Sequence, residues 1–210
     1  DVNIKWLDID QETCCVDYED LRSKLDYNTK VIYIVHWGGT PCDIVKLSSI
    51  QDEHFIKYGY RPMIIEDCAH AFGAMYNSKL KVGCNNRNIC VFSLQAIKHL
   101  TTGDGGIITL PHKTFYERAK LLRWYGIDRD KRNYKNSDFR LENDILEAGY
   151  KYHMNDLNAT IGLVNLEGIG DIIEKNRYNA NYLNFELKNV VGLKVTTCPD
   201  NVKSAYWLFT

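Results

Sequence analysis

Long hydrophobic runs are missing from this sequence. The longest apolar stretches, such as Val31 to Val35, fall far short of the roughly 20 residues that a membrane helix needs. The first residues, Asp1-Val2-Asn3, carry neither the basic nor the apolar part of a secretory leader. No membrane contact is expected, and the expected location is the cytoplasm. An excess of charge of one sign is lacking too: 26 Lys+Arg stand against 27 Asp+Glu, a formal net charge of −1. Without a broad basic surface, nucleic acid is not expected as a partner, while a small anionic ligand stays open. The Cys-x-x-Cys spacing is absent. The seven cysteines, Cys14, Cys15, Cys42, Cys68, Cys84, Cys90 and Cys198, are odd in number and lie mostly in or beside apolar runs, so free thiols are expected and no metal site. Internal repeats and low-complexity segments are also absent.

What remains is the composition of a globular protein: 210 residues, 45% of them hydrophobic, enough to bury a real core. Short apolar runs alternate with helical patterns, which predicts βα units and a mostly parallel sheet. Strands are expected at Ile4–Ile9, Lys30–His36, Arg61–Glu66, Ile89–Leu94 and Ile107–Leu110. Helices are expected at Tyr18–Leu25, at Asp43–Tyr58 with Asp43 as N-cap, and at Thr114–Trp124. The polar stretch Tyr125–Asp144 reads as a long exposed loop. From Asp156 to about Lys188 the apolar spacing is mainly helical, with Gly168 and Gly170 as a break. Leu193–Thr197 and Ala205–Phe209 read as strands of a second unit. Residues 1–165 are thus expected to form a large domain and 166–210 a connecting helix and the start of a small one. The absence of an initial Met and the aromatic run at the other end suggest a piece of a longer chain.

Two segments carry candidate chemistry. Pro62-Met-Ile-Ile-Glu-Asp-Cys-Ala-His70 ends a strand in adjacent acids, at the carboxyl edge where open α/β sheets bind ligands. There Asp67 either faces a cation or caps the next segment. In Val91-Phe-Ser-Leu-Gln-Ala-Ile-Lys98 a strand delivers Ser93, and Lys98 follows in apolar company before the glycine-rich Thr101-Thr-Gly-Asp-Gly-Gly106. That turn is neither Gly-x-Gly-x-x-Gly nor a P-loop, and it precedes a strand rather than a helix. Burial disfavours the charged form of a lysine and makes its amine nucleophilic. A strand-end Asp, a hydroxyl, and a Lys about 30 residues beyond the Asp make up the set that pyridoxal phosphate needs.

Four blocks, Val35-His-Trp-Gly-Gly-Thr-Pro-Cys-Asp43, Glu66-Asp-Cys-Ala-His-Ala-Phe-Gly-Ala74, Phe92-Ser-Leu-Gln-Ala-Ile-Lys98 with Thr101–Gly106, and Gly149-Tyr-Lys-Tyr-His-Met-Asn-Asp156, resemble motif blocks of the DegT/DnrJ/EryC1/StrS sugar aminotransferases. The resemblance covers essentially the whole chain, which corresponds to the middle portion of such a protein. It implies an α/β, PLP-dependent fold type I architecture like that of aspartate aminotransferase, and a homodimer. It also implies transfer of an amino group, usually from glutamate, to a nucleotide-linked keto-sugar, with pyridoxal 5′-phosphate as cofactor.

By motif match Lys98 would be the lysine that binds the cofactor aldehyde, Asp67 the partner of the ring nitrogen, Ser93 a phosphate ligand, and His70 a neighbour of the ring hydroxyl. Lys151 stands where the family often has an Asn that reaches the neighbouring subunit's phosphate. The family's upstream phosphate loop and its ring-stacking aromatic lie outside this sequence. His36 and Trp37 are expected to shape a turn rather than act on substrate. Two alternatives remain: a catalytically silent fragment or binding module of the same fold, and the family's sugar dehydratases, which carry His where Lys98 stands here.

Overall fold

A computed structural model describes residues 2–77, 79–131, 145 and 147–210. Asp17 caps helix α1 (Tyr18–Lys24), its carboxylate accepting from the Glu19 and Asp20 N–H groups. Strand β1 (Val31–Val35) leads through a 3-10 turn, Trp37–Gly39, into α2 (Ile44–Tyr58). Asp43 is the N-cap of α2, accepting from Val45 and Lys46, and Gly59 ends the helix at φ 83°. Leu47, Ile50 and His54 form the buried stripe of α2, and Leu47 and Ile50 pack with Ile32, Ile34 and Ile64 of the sheet. Each such fully buried aliphatic side chain is worth about 1.5–3 kcal/mol.

Strands β2 (Met63–Asp67) and β3 (Ile89–Ser93) follow β1 in parallel, whereas β4 (Gly106–Thr109) returns antiparallel to β3. The sheet is therefore mixed, in the order β1-β2-β3-β4. Helix α3 (Lys113–Leu122) comes next, then α4 (Asp156–Glu167) and α5 (Ile169–Leu187), separated at Gly168. Among the described residues no helix is long and apolar enough to cross a membrane. The described cysteines, all seven, are free thiols.

Three expected strands do not form. Ile4–Ile9 makes only a single antiparallel bridge, Ile9 to Val16. Leu193–Thr197 enters no ladder, and Ala205–Phe209 is broken by Tyr206 at φ 48° and a bend at Trp207–Leu208. In the first segment Thr196 N–H donates to the Thr210 carbonyl (2.9 Å) and Thr197 N–H to that of Glu12 (2.7 Å); in the second, Ala205 N–H donates to the Gly39 carbonyl (3.0 Å) and Leu208 N–H to that of Gly38 (3.1 Å). Of the expected Tyr125–Asp144 loop, residues 132–144 lie outside the described residues, and Arg129–Lys131 forms a 3-10 turn.

Alternation along the strands gives the sheet two unlike faces. Ile32, Ile34, Ile64, Glu66, Cys90 and Phe92 are buried on one. Val31, Tyr33, Val35 and Val91 lie exposed on the other, which also carries Asp67 and Ser93 by the same parity. Glu66 is fully buried, yet its carboxylate is satisfied: Oε2 accepts from His36 Nε2 (2.7 Å) and the Tyr76 hydroxyl (2.5 Å), and Oε1 from the amides of Asn85 and Asn88 (2.7 Å each). His36 Nδ1 accepts from the Cys42 N–H (3.0 Å), so the ring proton sits on Nε2 and points at Glu66. His36 is thus a strut of the turn, as expected. His36, Glu66 and Cys68 gather within 4.8 Å, but both His36 nitrogens and both Glu66 oxygens are already engaged, so this cluster reads as a hydrogen-bond node rather than a metal centre.

Gly39 is where the turn and the 205–208 segment touch. It has φ 101°, and a Cβ there would stand 2.9 Å from the His70 carbonyl and from the Tyr206 nitrogen. Gly39→Ala is expected to cost about 2–4 kcal/mol in denaturant unfolding, from the clash together with the strained backbone. Gly59→Ala, at φ 83° with open space around it, is the matched control at about 1 kcal/mol. Equal losses at the two positions would show that the close approach has no energetic weight.

Candidate active site

The carboxyl ends of β1, β2 and β3 are in register, Val35 beside Asp67 and Asp67 beside Val91. Side-chain parity sets Tyr33, Asp67 and Ser93 on the open face. Asp67 takes up the capping alternative, Oδ1 accepting from the Ala69 N–H (3.0 Å), while Oδ2 faces a neutral donor rather than a cation and accepts from the Tyr33 hydroxyl (2.8 Å). Burial and this bond to Asp67 push the Tyr33 phenol up to about 12, so it stays a donor across the physiological range.

After Asp67 the chain turns through Cys68–Ala71, with Ala71 N–H donating to the Cys68 carbonyl, and this turn delivers His70. Its ring stacks on Trp207 (centroids 3.9 Å, 22°) and meets Trp37 edge-on at 5.4 Å. His70 Nδ1 is buried without a hydrogen-bond partner. Burial and then the charge of Lys98 lower the His70 pKa, with Asp67 opposing. The imidazole is therefore held neutral at neutral pH, and it feels both other groups.

Lys98 follows β3 on a turn closed by its N–H to the Gln95 carbonyl (2.9 Å). Its Nζ lies 3.9 Å from the centroid of the Trp207 ring. Among the described residues it forms no salt bridge with a carboxylate. Burial lowers its pKa, against the pull of Asp67, so the amine sheds its proton more readily than an exposed lysine does. Trp207 is fixed by its indole N–H donating to the Ile97 carbonyl (2.9 Å) and by the backbone bonds of its segment to Gly38 and Gly39.

The structure thus draws His70 and Lys98 together around Trp207, with Asp67 near enough for its charge to act on both. Ser93 is half-buried at the end of β3, its hydroxyl accepting from the Gln95 N–H (3.3 Å). Lys151 stands apart: it is exposed and bridges through its backbone to Trp124, and no hydrogen bond or ion pair joins it to the other candidates among the described residues. Tyr33 and Trp207 are the residues that sequence reasoning missed. Tyr33 gains its place from a neighbouring strand and Trp207 from a distant segment, and neither relation leaves a local signal. The group pairs a nucleophilic amine with a carboxylate, a neutral imidazole and an aromatic plate, a set suited to holding a planar, charged heterocycle.

Residues 3–210 match the family model described as the DegT/DnrJ/EryC1/StrS aminotransferase family. An uncharacterized protein of Methanocaldococcus jannaschii is 36% identical over 205 residues, which cover 97% of this chain and 51% of that protein. The crystal structure of AtS13 from Actinomadura melliaura is 42% identical with a TM-score of 0.91, covering 99% of this chain and 54% of the other. The sugar aminotransferase CalS13 from Micromonospora echinospora is 36% identical with a TM-score of 0.89, covering 99% and 55%. The chain spans about half the length of the relatives it matches.

Proposed function

The chain belongs to the DegT/DnrJ/EryC1/StrS aminotransferase family, and on that premise we propose that it carries the lysine-bearing part of a pyridoxal-phosphate-dependent sugar aminotransferase. Its fold is type I of the PLP-dependent enzymes, as in the sugar aminotransferase it resembles. The amino donor is an amino acid, glutamate, and the acceptor is a nucleotide-linked keto-sugar. One observation carries this reading: the unpartnered His70 Nδ1 lies where it feels both the Lys98 amine and the Asp67 carboxylate.

The donor set fits the cofactor. Lys98 would bind its aldehyde, Asp67 would hold the proton on its ring nitrogen, His70 Nδ1 would meet the ring hydroxyl, and Ser93 would bind phosphate. When bound, pyridoxal phosphate supplies an electron sink for the bond electrons at the substrate's amine-bearing carbon. The protein does the rest. Lys98 removes the proton at that carbon and returns one, a role open to an amine whose proton affinity burial has lowered. Asp67 acts most strongly as charge develops, so its contribution falls on the transition state rather than on binding alone. Trp207, whose ring lies 3.9 Å from Lys98 Nζ, orients the amine. Lys98 also speaks against the dehydratase reading, in which a His occupies its position.

The partner subunit completes the proposal: Lys151 reaches the cofactor phosphate of the other copy in a homodimer, as a point charge in place of the family's Asn. The full-length protein mixed with pyridoxal phosphate is expected to gain visible absorbance, to lose it as glutamate is added and leaves as its keto acid, and to regain it when a nucleotide-linked keto-sugar is then supplied and takes the amine. Repeating the titration at falling protein concentration should weaken cofactor binding as dimers separate. A protein that takes up no cofactor would end the reading, and affinity independent of dilution would remove Lys151 from the site.

A further inference from the structure

We infer that Tyr33 is a positioning residue for Asp67: its hydroxyl fixes the carboxylate in the orientation that a protonated ring nitrogen requires. This deepens the cofactor reading and rests on it. Tyr33 touches no reacting atom and acts through Asp67 alone.

The argument begins with the sheet. Register pairs Val35 with Asp67 across β1 and β2, so Tyr33, two residues back along β1, shares the open face with Asp67 one step along the strand. A phenol is long enough to cover that diagonal, and the 2.8 Å bond to Oδ2 does so. An ionised carboxylate offers about four acceptor positions over its two oxygens. Among the described residues each Asp67 oxygen has one donor from the protein, the Ala69 N–H on Oδ1 and the Tyr33 hydroxyl on Oδ2. Two donors from different parts of the chain fix the carboxylate plane and leave one position open on each oxygen.

The terminal torsion of an aspartate is broad and roughly two-fold. With the Ala69 bond alone, the carboxylate could turn about that single tether. Recognition of a ring N–H needs its direction held within about 10–20°, and the phenol supplies the second point of fixation. The raised pKa of Tyr33 means that the donor is not lost to ionisation. The exposure of Tyr33 on the sheet face, 55%, indicates that the hydroxyl is not there to fill the core. Phe at this position would keep the ring and remove only the bond.

The test uses the full-length protein, pyridoxal 5′-phosphate as the probe, and four forms: wild type, Tyr33→Phe, Asp67→Asn and the double variant. Cofactor affinity is read by titration, and thermal unfolding without cofactor reports on the fold. Tyr33→Phe is expected to weaken binding about tenfold, the loss of one charge-assisted hydrogen bond, with unfolding close to wild type. Asp67→Asn is expected to weaken it further. The double variant should bind like Asp67→Asn, within about twofold, because no carboxylate remains for Tyr33 to aim at a ring N–H. A purely structural role would instead carry its loss unchanged into the Asp67→Asn background, and that multiplicative result overturns the inference, as does wild-type affinity in Tyr33→Phe. If wild type itself takes up no cofactor, the proposed function fails and the inference goes with it. If wild type binds and Tyr33→Phe binds equally, only the inference fails.

Discussion

Lys98→Ala is expected to lower turnover by about 10⁴-fold or more, while cofactor still binds non-covalently. The expectation follows from what surrounds the amine. Nζ lies over the Trp207 ring, with burial pressing its proton off and no carboxylate salt bridge among the described residues to hold it on. The ring face favours the cation, yet the net direction is toward proton loss, and that suits a nucleophile and proton carrier. Removing it deletes both the covalent attachment and the proton transfer, whose separate contribution is typically 10²–10⁴-fold. Lys98→Arg divides charge from chemistry: guanidinium keeps the cation and the contact with Trp207, but does not deprotonate in proteins, so it should be as inactive as alanine. Borohydride reduction followed by peptide mass analysis should find cofactor attached to residue 98 in wild type and in neither variant. Near-normal turnover in Lys98→Ala would remove this residue from the chemistry.

The second large effect concerns stability. Burial alone would lift the Glu66 pKa, but donation from His36, Tyr76 and Asn88 outweighs it and holds the carboxyl at about 2, below the ordinary 4.5. A carboxyl depressed in the folded state contributes stability that is complete above its unfolded value and is lost as pH falls toward the folded one. The window is therefore pH 4.5 down to 2, and the contribution is roughly 3 kcal/mol. Glu66→Gln should lose about that much at neutral pH, because one face of the new amide presents N–H to groups that themselves donate. Denaturant unfolding followed against pH should show wild type weakening across this window and the Gln variant nearly flat there. Parallel acid profiles in the two proteins would mean that other carboxyls govern the loss.

Much of the framework was legible because local rules decide it. Asp43 as N-cap, α2 through Tyr58 and the break at Gly168 follow from cap chemistry and period. Val31–Val35 follows from an apolar run bounded by turns. The parallel run of β1, β2 and β3 was legible from the alternation of strand and helix patterns, whereas the reversal at the sheet's end was not. Nothing in Ile107–Leu110 tells that β4 runs against β3, and Ile4–Ile9 has a strand's composition but no ladder to join. Ala205–Phe209 also has the pattern of a strand, and its hydrogen bonds go to Gly38 and Gly39 instead. In the site, Asp67, His70 and Lys98 announced themselves because their chemistry sits inside motif blocks. Tyr33 and Trp207 did not, since an ordinary strand tyrosine and a tryptophan far along the chain join the site only through register and long-range contact.

Glu66 and Asp67 differ by one methylene and sit side by side in β2, yet one serves the interior and the other the ligand side. Strand parity alone assigns them. Deleting a single residue ahead of them within β2 would exchange their posts: the shorter acid would meet His36 and the two asparagines, and the longer one would jut toward Tyr33. The chain would keep both charges and lose the use of each, so this strand tolerates replacement of its apolar residues far better than any change in its count.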